Sequence, residues 1–275
     1  MEDQPAAEPP AVPAHAQAPQ AGWHWAEWGC ELLGTAILLV GGLSAVTLDF
    51  SRHSPVAAAI PSTSWRLLVT GVLFASTGAL VTVSPLGRRS GAHLNPAVSL
   101  AFFLHGHLHR CDLAGYVGAQ CAGGLLGAAV VWWAWWPASR SVHGGLTAPG
   151  DGIGPWGAAG IEAAMTGLLV LVIFAFVSSP ATARFTPLAV LVTVAVLVWQ
   201  FAPDTGTSLN PARSLGPAVV VDRWRFYWVY VAGPLAGAVA AAAVWLAVPR
   251  TLQTAKLFHD PAYRSIFRTL LPARR

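Results

Sequence analysis

Ser90-Gly-Ala-His-Leu-Asn-Pro-Ala97 and Gly206-Thr-Ser-Leu-Asn-Pro-Ala212 decide the fold, because the second answers the first. Each ends in Asn-Pro-Ala and runs into a short apolar stretch, residues 96–104 and 211–221. At about 1.5 Å per helical residue, such a stretch crosses only about half of a ~30 Å hydrocarbon layer. Proline at its first position suits a helix start, since the missing N–H would be unpaired there anyway. The small and polar residues in front, 90–94 and 206–209, have the character of an extended re-entrant segment. Non-helical backbone at that depth persists only where protein buries it or where it lines a water-filled cavity. A cavity is therefore expected where the two loops meet.

The flanks repeat as well. Glu31-Leu-Leu-Gly-Thr35 matches the frame of Glu162-Ala-Ala-Met-Thr166, and Tyr116-Val-Gly-Ala is answered by Tyr230-Val-Ala-Gly. Six apolar segments approach the about 20 residues a spanning helix needs: 28–48, 65–84, 113–136, 158–177, 185–201 and 226–248. Three spans per unit is an odd number, so the second copy enters the membrane reversed and the halves, about 28–136 and 158–248, form an inverted repeat. The expected fold is an all-α membrane protein of six transmembrane helices plus two re-entrant half-helices. Gly/Ala runs at 123–129 and 236–241 let helix backbones approach closely.

Composition agrees. Of 275 residues, 55% are hydrophobic and only 10% charged, against about 25% charged in a soluble domain. The chain divides into a Pro/Ala-rich tail (1–22), expected to be disordered and lacking the features of a cleavable signal, a membrane domain (23–249) and a basic tail (250–275). Six spans put both termini on one side. That side receives Arg88, Arg89, Arg110, Arg184, Arg250, Lys256, Arg264, Arg268, Arg274 and Arg275, whereas Arg52, Arg66, Arg140, Arg223 and Arg225 fall opposite. Positive residues accumulate in the cytoplasm, so both termini are expected there, in a multi-pass protein of the cell membrane. The basic tail reads as a juxtamembrane segment near anionic lipid, not as a nucleic-acid site. Cys30, Cys111 and Cys121 match no zinc or disulfide spacing. His105, His107 and His109 alternate in the connecting run 104–110, which holds no Cys or carboxylate, so no metal and no cofactor is implied. The 13 Trp cluster near span ends, as an interfacial belt would.

Two half-helix N-termini meeting at the midplane each bring about half a positive charge. The amides of Asn95 and Asn210 can donate to a passing oxygen. The carbonyls of Gly91, Ala92 and His93, and of Gly206, Thr207 and Ser208, can accept from it. Donors at the centre force a water to accept through its oxygen, which interrupts proton hopping along a file.

These residues resemble the aquaporin or major intrinsic protein family, whose mark is two Asn-Pro-Ala loops in an inverted repeat; the resemblance covers roughly residues 28–249. Its pore motifs fall on Asn95, Pro96, Ala97, Asn210, Pro211 and Ala212. It implies a passive channel for water and other small uncharged solutes, closed to ions and protons, not an enzyme, and assembled as a homotetramer in the bilayer. It implies that Glu31 and Glu162 accept N–H groups of the re-entrant loops. It implies a constriction made by Arg213, the Thr207 carbonyl, Val198 and one residue of the second span: Phe74 if loop 88–90 holds one extra residue, Ala75 if not, the former being preferred. Water-selective members usually carry His where Val198 stands, so a wider pore for glycerol-like solutes or gases is the alternative. A proton-coupled transporter would need titratable groups along the route, and only His93 is offered beyond the glutamates. An intramembrane hydrolase would need a Ser/His or paired-Asp arrangement, and none is evident. A structural protein with a vestigial pore would not need the intact Asn, Arg and Gly positions of both loops.

Overall fold

The computed structural model describes residues 19–52 and 54–271; most of the Pro/Ala-rich tail and residues 272–275 lie outside them. Regular structure among the described residues is all helical. Six helices are long and apolar enough to cross a membrane: Trp25–Phe50, Thr63–Val83, Arg110–Ala134, Pro155–Val177, Thr186–Thr205 and Val229–Leu246. Between the second and third spans lies the half-helix Pro96–Leu104, and between the fifth and sixth lies Pro211–Val220. Both begin on a proline and are capped by the asparagine before it: Asn95 accepts from the Ala97 N–H, and Asn210 from those of Ala212 and Arg213. Pro at the first turn and Asn at the cap together explain why the helices start at these residues.

Packing follows the repeat. The first span lies along the third and the fourth along the sixth, and the second and fifth spans join the halves. Each half-helix crosses over, the first packing on the sixth span and the second on the third. The intra-repeat contacts are backbone to backbone. A Cβ on Gly123 would sit 2.2 Å from the Leu32 carbonyl, and one on Gly237 would sit 2.1 Å from that of Ala163. Missing side chains are what lets these pairs close in a medium where apolar burial alone does not drive helices together.

The re-entrant segments are not extended. Ser90 closes a short helix, Pro85–Ser90. After it Gly91, Ala92 and Leu94 take positive φ values of 88°, 55° and 51°. In the second copy Gly206, Thr207 and Leu209 take 78°, 44° and 59°. Left-handed backbone at four non-glycine residues is strained and has to be held from outside.

The basic tail is folded onto the protein. Residues 250–271 form no regular helix and fold back under the first loop. They bury Leu252, Ala255, Lys256, Leu257, Ile266 and Phe267, apolar content that explains the docking. Exposed Trp25, Trp65, Trp133 and Trp156 stand near span ends, and the three cysteines are free.

Candidate functional site

What holds the strained loops is one glutamate in each half. Glu31, fully buried in the first span, accepts from Ser90 Oγ at 2.7 Å, the His93 N–H at 3.1 Å and the Leu94 N–H at 2.7 Å. Gln120 Nε2 donates to it as a fourth partner, at 2.8 Å. Glu162 accepts from Thr205 Oγ1, the Ser208 N–H and the Leu209 N–H, each at 2.8 Å. Tyr116 and Tyr230 finish the pattern by donating to the Ser90 and Thr205 carbonyls at 2.7 and 2.8 Å. With both carboxylates bonded to loop N–H groups in this way, each loop is held to one backbone path.

The two loops are then joined across the centre. Asn95 Nδ2 donates to the Leu209 carbonyl and Asn210 Nδ2 to the Leu94 carbonyl, both at 2.8 Å. Each amide nitrogen carries two hydrogens, so this crossing leaves one on each side chain. Both asparagines line a narrow cavity of about 110 Å³. The loops and half-helices form its polar wall, with Leu94, Asn95, Ser208, Leu209, Asn210 and Arg213; the residues contributed by the first, second, fourth and fifth spans are apolar except Thr82, among them Leu38, Leu169, Ile173, Val190 and Val194.

Arg213 stands at one end, buried to 6% exposure. Its Nη1 donates to the Gly145 carbonyl at 2.7 Å, and its guanidinium carbon lies 5.6 Å from the centre of the Phe74 ring. Phe74 and Ala75 both contribute to the cavity wall. Thr207 turns its hydroxyl to the Leu197 carbonyl at 3.4 Å. Val198 packs where a Cβ on Gly71 of the second span would meet it at 3.0 Å. The fifth-span residues on the cavity itself are Val194 and Val190, about one and two turns before Val198.

His93 and Leu257 stand toward the other end. His93 Nε2 is 2.8 Å from the Ala255 carbonyl, which can only accept, so that nitrogen carries the proton. Nδ1 then accepts from Ser99 Oγ at 3.1 Å, and Ser99 in turn accepts from Gln120. The three alternating histidines have three separate jobs. His105 Nε2 donates to the Ala242 carbonyl, His107 Nδ1 to that of Arg268, and His109 caps the third span through Cys111.

Gln120, Ser99 and Leu257 were not singled out from the sequence. Ser99 had a signal, since Ser214 occupies the matching place of the second copy and meets Ser208 Oγ at 2.6 Å. Gln120 faces Pro234 in the repeat and Leu257 lies outside it, so neither had one.

The family model described as "Major intrinsic protein" matches residues 20–245. Aquaporin NIP1-3 of Oryza sativa is 35% identical over 217 residues, covering 77% of this chain and 70% of its own length. The probable aquaporin AqpM of Archaeoglobus fulgidus is 40% identical over 183 residues, 64% of this chain and 73% of its own. Among solved structures, the aquaglyceroporin from Plasmodium falciparum superposes with a TM-score of 0.67 at 24% identity, over 82% of this chain and 97% of that one.

Proposed function

The chain belongs to the major intrinsic protein family of membrane channels, and from that premise we propose that it conducts chiefly water, passively, while excluding protons and ions. The observation that carries this reading is the crossed pair of amides: Asn95 and Asn210, each tied to the opposite loop, border the cavity side by side. Their remaining N–H groups face a water as donors only. The half-helix N-termini behind them add positive potential, and Arg213 adds a full charge at one end. The span residues of the cavity, apolar except Thr82, offer a passing water few partners, which favours fast movement over tight binding.

A second reading has its own support in Val198: if this residue faces Arg213 from the fifth span, it offers neither the ring nor the polar group of a histidine. It is a pore that also admits small neutral solutes such as glycerol or urea. The distribution of Arg and Lys supports cytoplasmic termini and residence in the cell membrane. The family resemblance supports a tetramer in which each chain carries its own pore.

The test is osmotic shrinkage of vesicles holding the purified protein, with glycerol and urea uptake measured in the same preparation. We expect faster shrinkage than in empty vesicles, a low activation energy and no ionic current. No acceleration from either the full chain or a form with the lumen-lining Leu257 trimmed to Gly would sink the reading.

A further inference from the structure

The segment after the sixth span is bonded to the protein at several points. Its backbone is bonded into the first re-entrant loop: the Leu257 N–H donates to the Gly91 carbonyl at 3.0 Å, and His93 Nε2 donates to the Ala255 carbonyl at 2.8 Å. Lys256 Nζ donates to the Arg88 carbonyl at 2.6 Å just outside. Phe267 anchors the far end of the segment, its ring 5.3 Å from that of His93 and 2.9 Å from where a Cβ on Gly91 would stand. Between these anchors the Leu257 side chain forms part of the cavity wall.

A water entering here needs partners to replace those it leaves behind. Gly91 and His93 could supply them, and the segment occupies both while placing Leu257 among the residues that line the cavity. The docking is nonetheless of limited strength. Lys256 is buried with carbonyls for partners and, among the described residues, makes no ion pair; burial pushes its ammonium down to about 8. The outer tie, Arg88 to Asp260 at 3.0 Å, is partly exposed, where ion pairs contribute little.

We propose that residues 250–271 are a tethered closure of the pore on the face that carries the termini, with Leu257 as the side chain seated in the lumen. The proposal rests on the reading of the cavity as a conducting pore. The full chain then conducts only while the segment is lifted.

The experiment compares vesicle shrinkage for the full chain, a chain ending at Arg250, Leu257→Gly and Phe267→Ala, at equal numbers of folded channels. Leu257→Gly keeps the backbone bonds to the loop, so it stays informative if the shortened chain does not fold. Shrinkage several fold faster than the full chain is expected for the shortened chain and Leu257→Gly, and faster by a smaller factor for Phe267→Ala. Rates equal to a full chain that itself exceeds empty vesicles would overturn the closure and leave the pore standing. Rates of empty vesicles throughout would overturn the pore, and the closure with it.

Discussion

Glu31 gathers four donors and Glu162 three, and the missing one explains how the halves differ. The fourth donor is Gln120, four residues beyond Tyr116. Four residues beyond Tyr230 is Pro234, which has no donor to give. Everything that fixes the backbone path is shared: a hydroxyl at Ser90 or Thr205, two N–H groups on a carboxylate, a tyrosine on a carbonyl, an asparagine crossing to the other loop. What each half shows to the lumen is not shared. The place three residues after the asparagine is Val98 in the first copy and Arg213 in the second; the place two residues before it is His93 or Ser208. The covers differ too. Chain 250–257 ties down the first loop. The connection between the third and fourth spans ties down the second, through Gly145 to Arg213 and Thr147 to Ser214. Bracing is a property of the repeat, whereas the lining of the cavity differs at the few places where the repeat is broken.

The sharpest way to break this comparison is to remove the braces. Glu31→Ala strands four buried donors and Glu162→Ala three, at a cost on the order of 1–3 kcal/mol per group. Both variants should lose thermal stability in detergent and lose conduction, Glu31→Ala by more; a normally melting, conducting Glu162→Ala protein would show that the loop holds itself. Next comes Arg213→Val, which gives the second loop the first loop's residue. Removing the buried charge should raise proton or cation flux in vesicles while water still passes. An unchanged barrier would assign exclusion to the amides and half-helices alone. Val198→His should act in the other direction, leaving water flux and lowering entry of glycerol or urea; an unchanged ratio in a protein that admits them would move the constriction elsewhere on the fifth span. The smallest effect is expected from Tyr116→Phe and Tyr230→Phe. Each deletes one hydrogen bond, about 1 kcal/mol, and the two melting shifts should match because the two tyrosines do the same job.

Much of this was legible in the chain itself. The first half-helix starts and stops at Pro96–Leu104, where proline and the asparagine cap act locally. All six span cores fall where the apolar runs are. The fifth helix continues past residue 201 to Thr205, through Pro203. Sequence could not show this, because Pro203 reads as a stop and the last turn is held from another part of the fold: the Gly150 N–H donates to the Asp204 carbonyl at 2.8 Å. The left-handed turns at Ala92, Leu94, Thr207 and Leu209 were hidden for the same reason. No local preference favours them; glutamates some 46 to 63 residues away do. Glu31, Glu162, Asn95, Asn210 and Arg213 were visible because the repeat doubled or flanked them. The docking of the tail was not, since nothing in the first half is its copy.

The crossed asparagines impose an order on biosynthesis. The acceptor for Asn95 is the carbonyl of Leu209, 114 positions later, and Asn210 reaches back 116 to Leu94. A ribosome delivers the first loop long before its counterpart exists. Until the fifth span has been inserted, the first loop holds one amide without its partner at a depth where no lipid can replace it. We expect the early half to wait, shallow in the interface or sheltered by the insertion machinery, and both loops to settle together once the second has arrived. Contacts this far apart in sequence make that step slow. Two separately translated halves, each incomplete, should be able to finish one another.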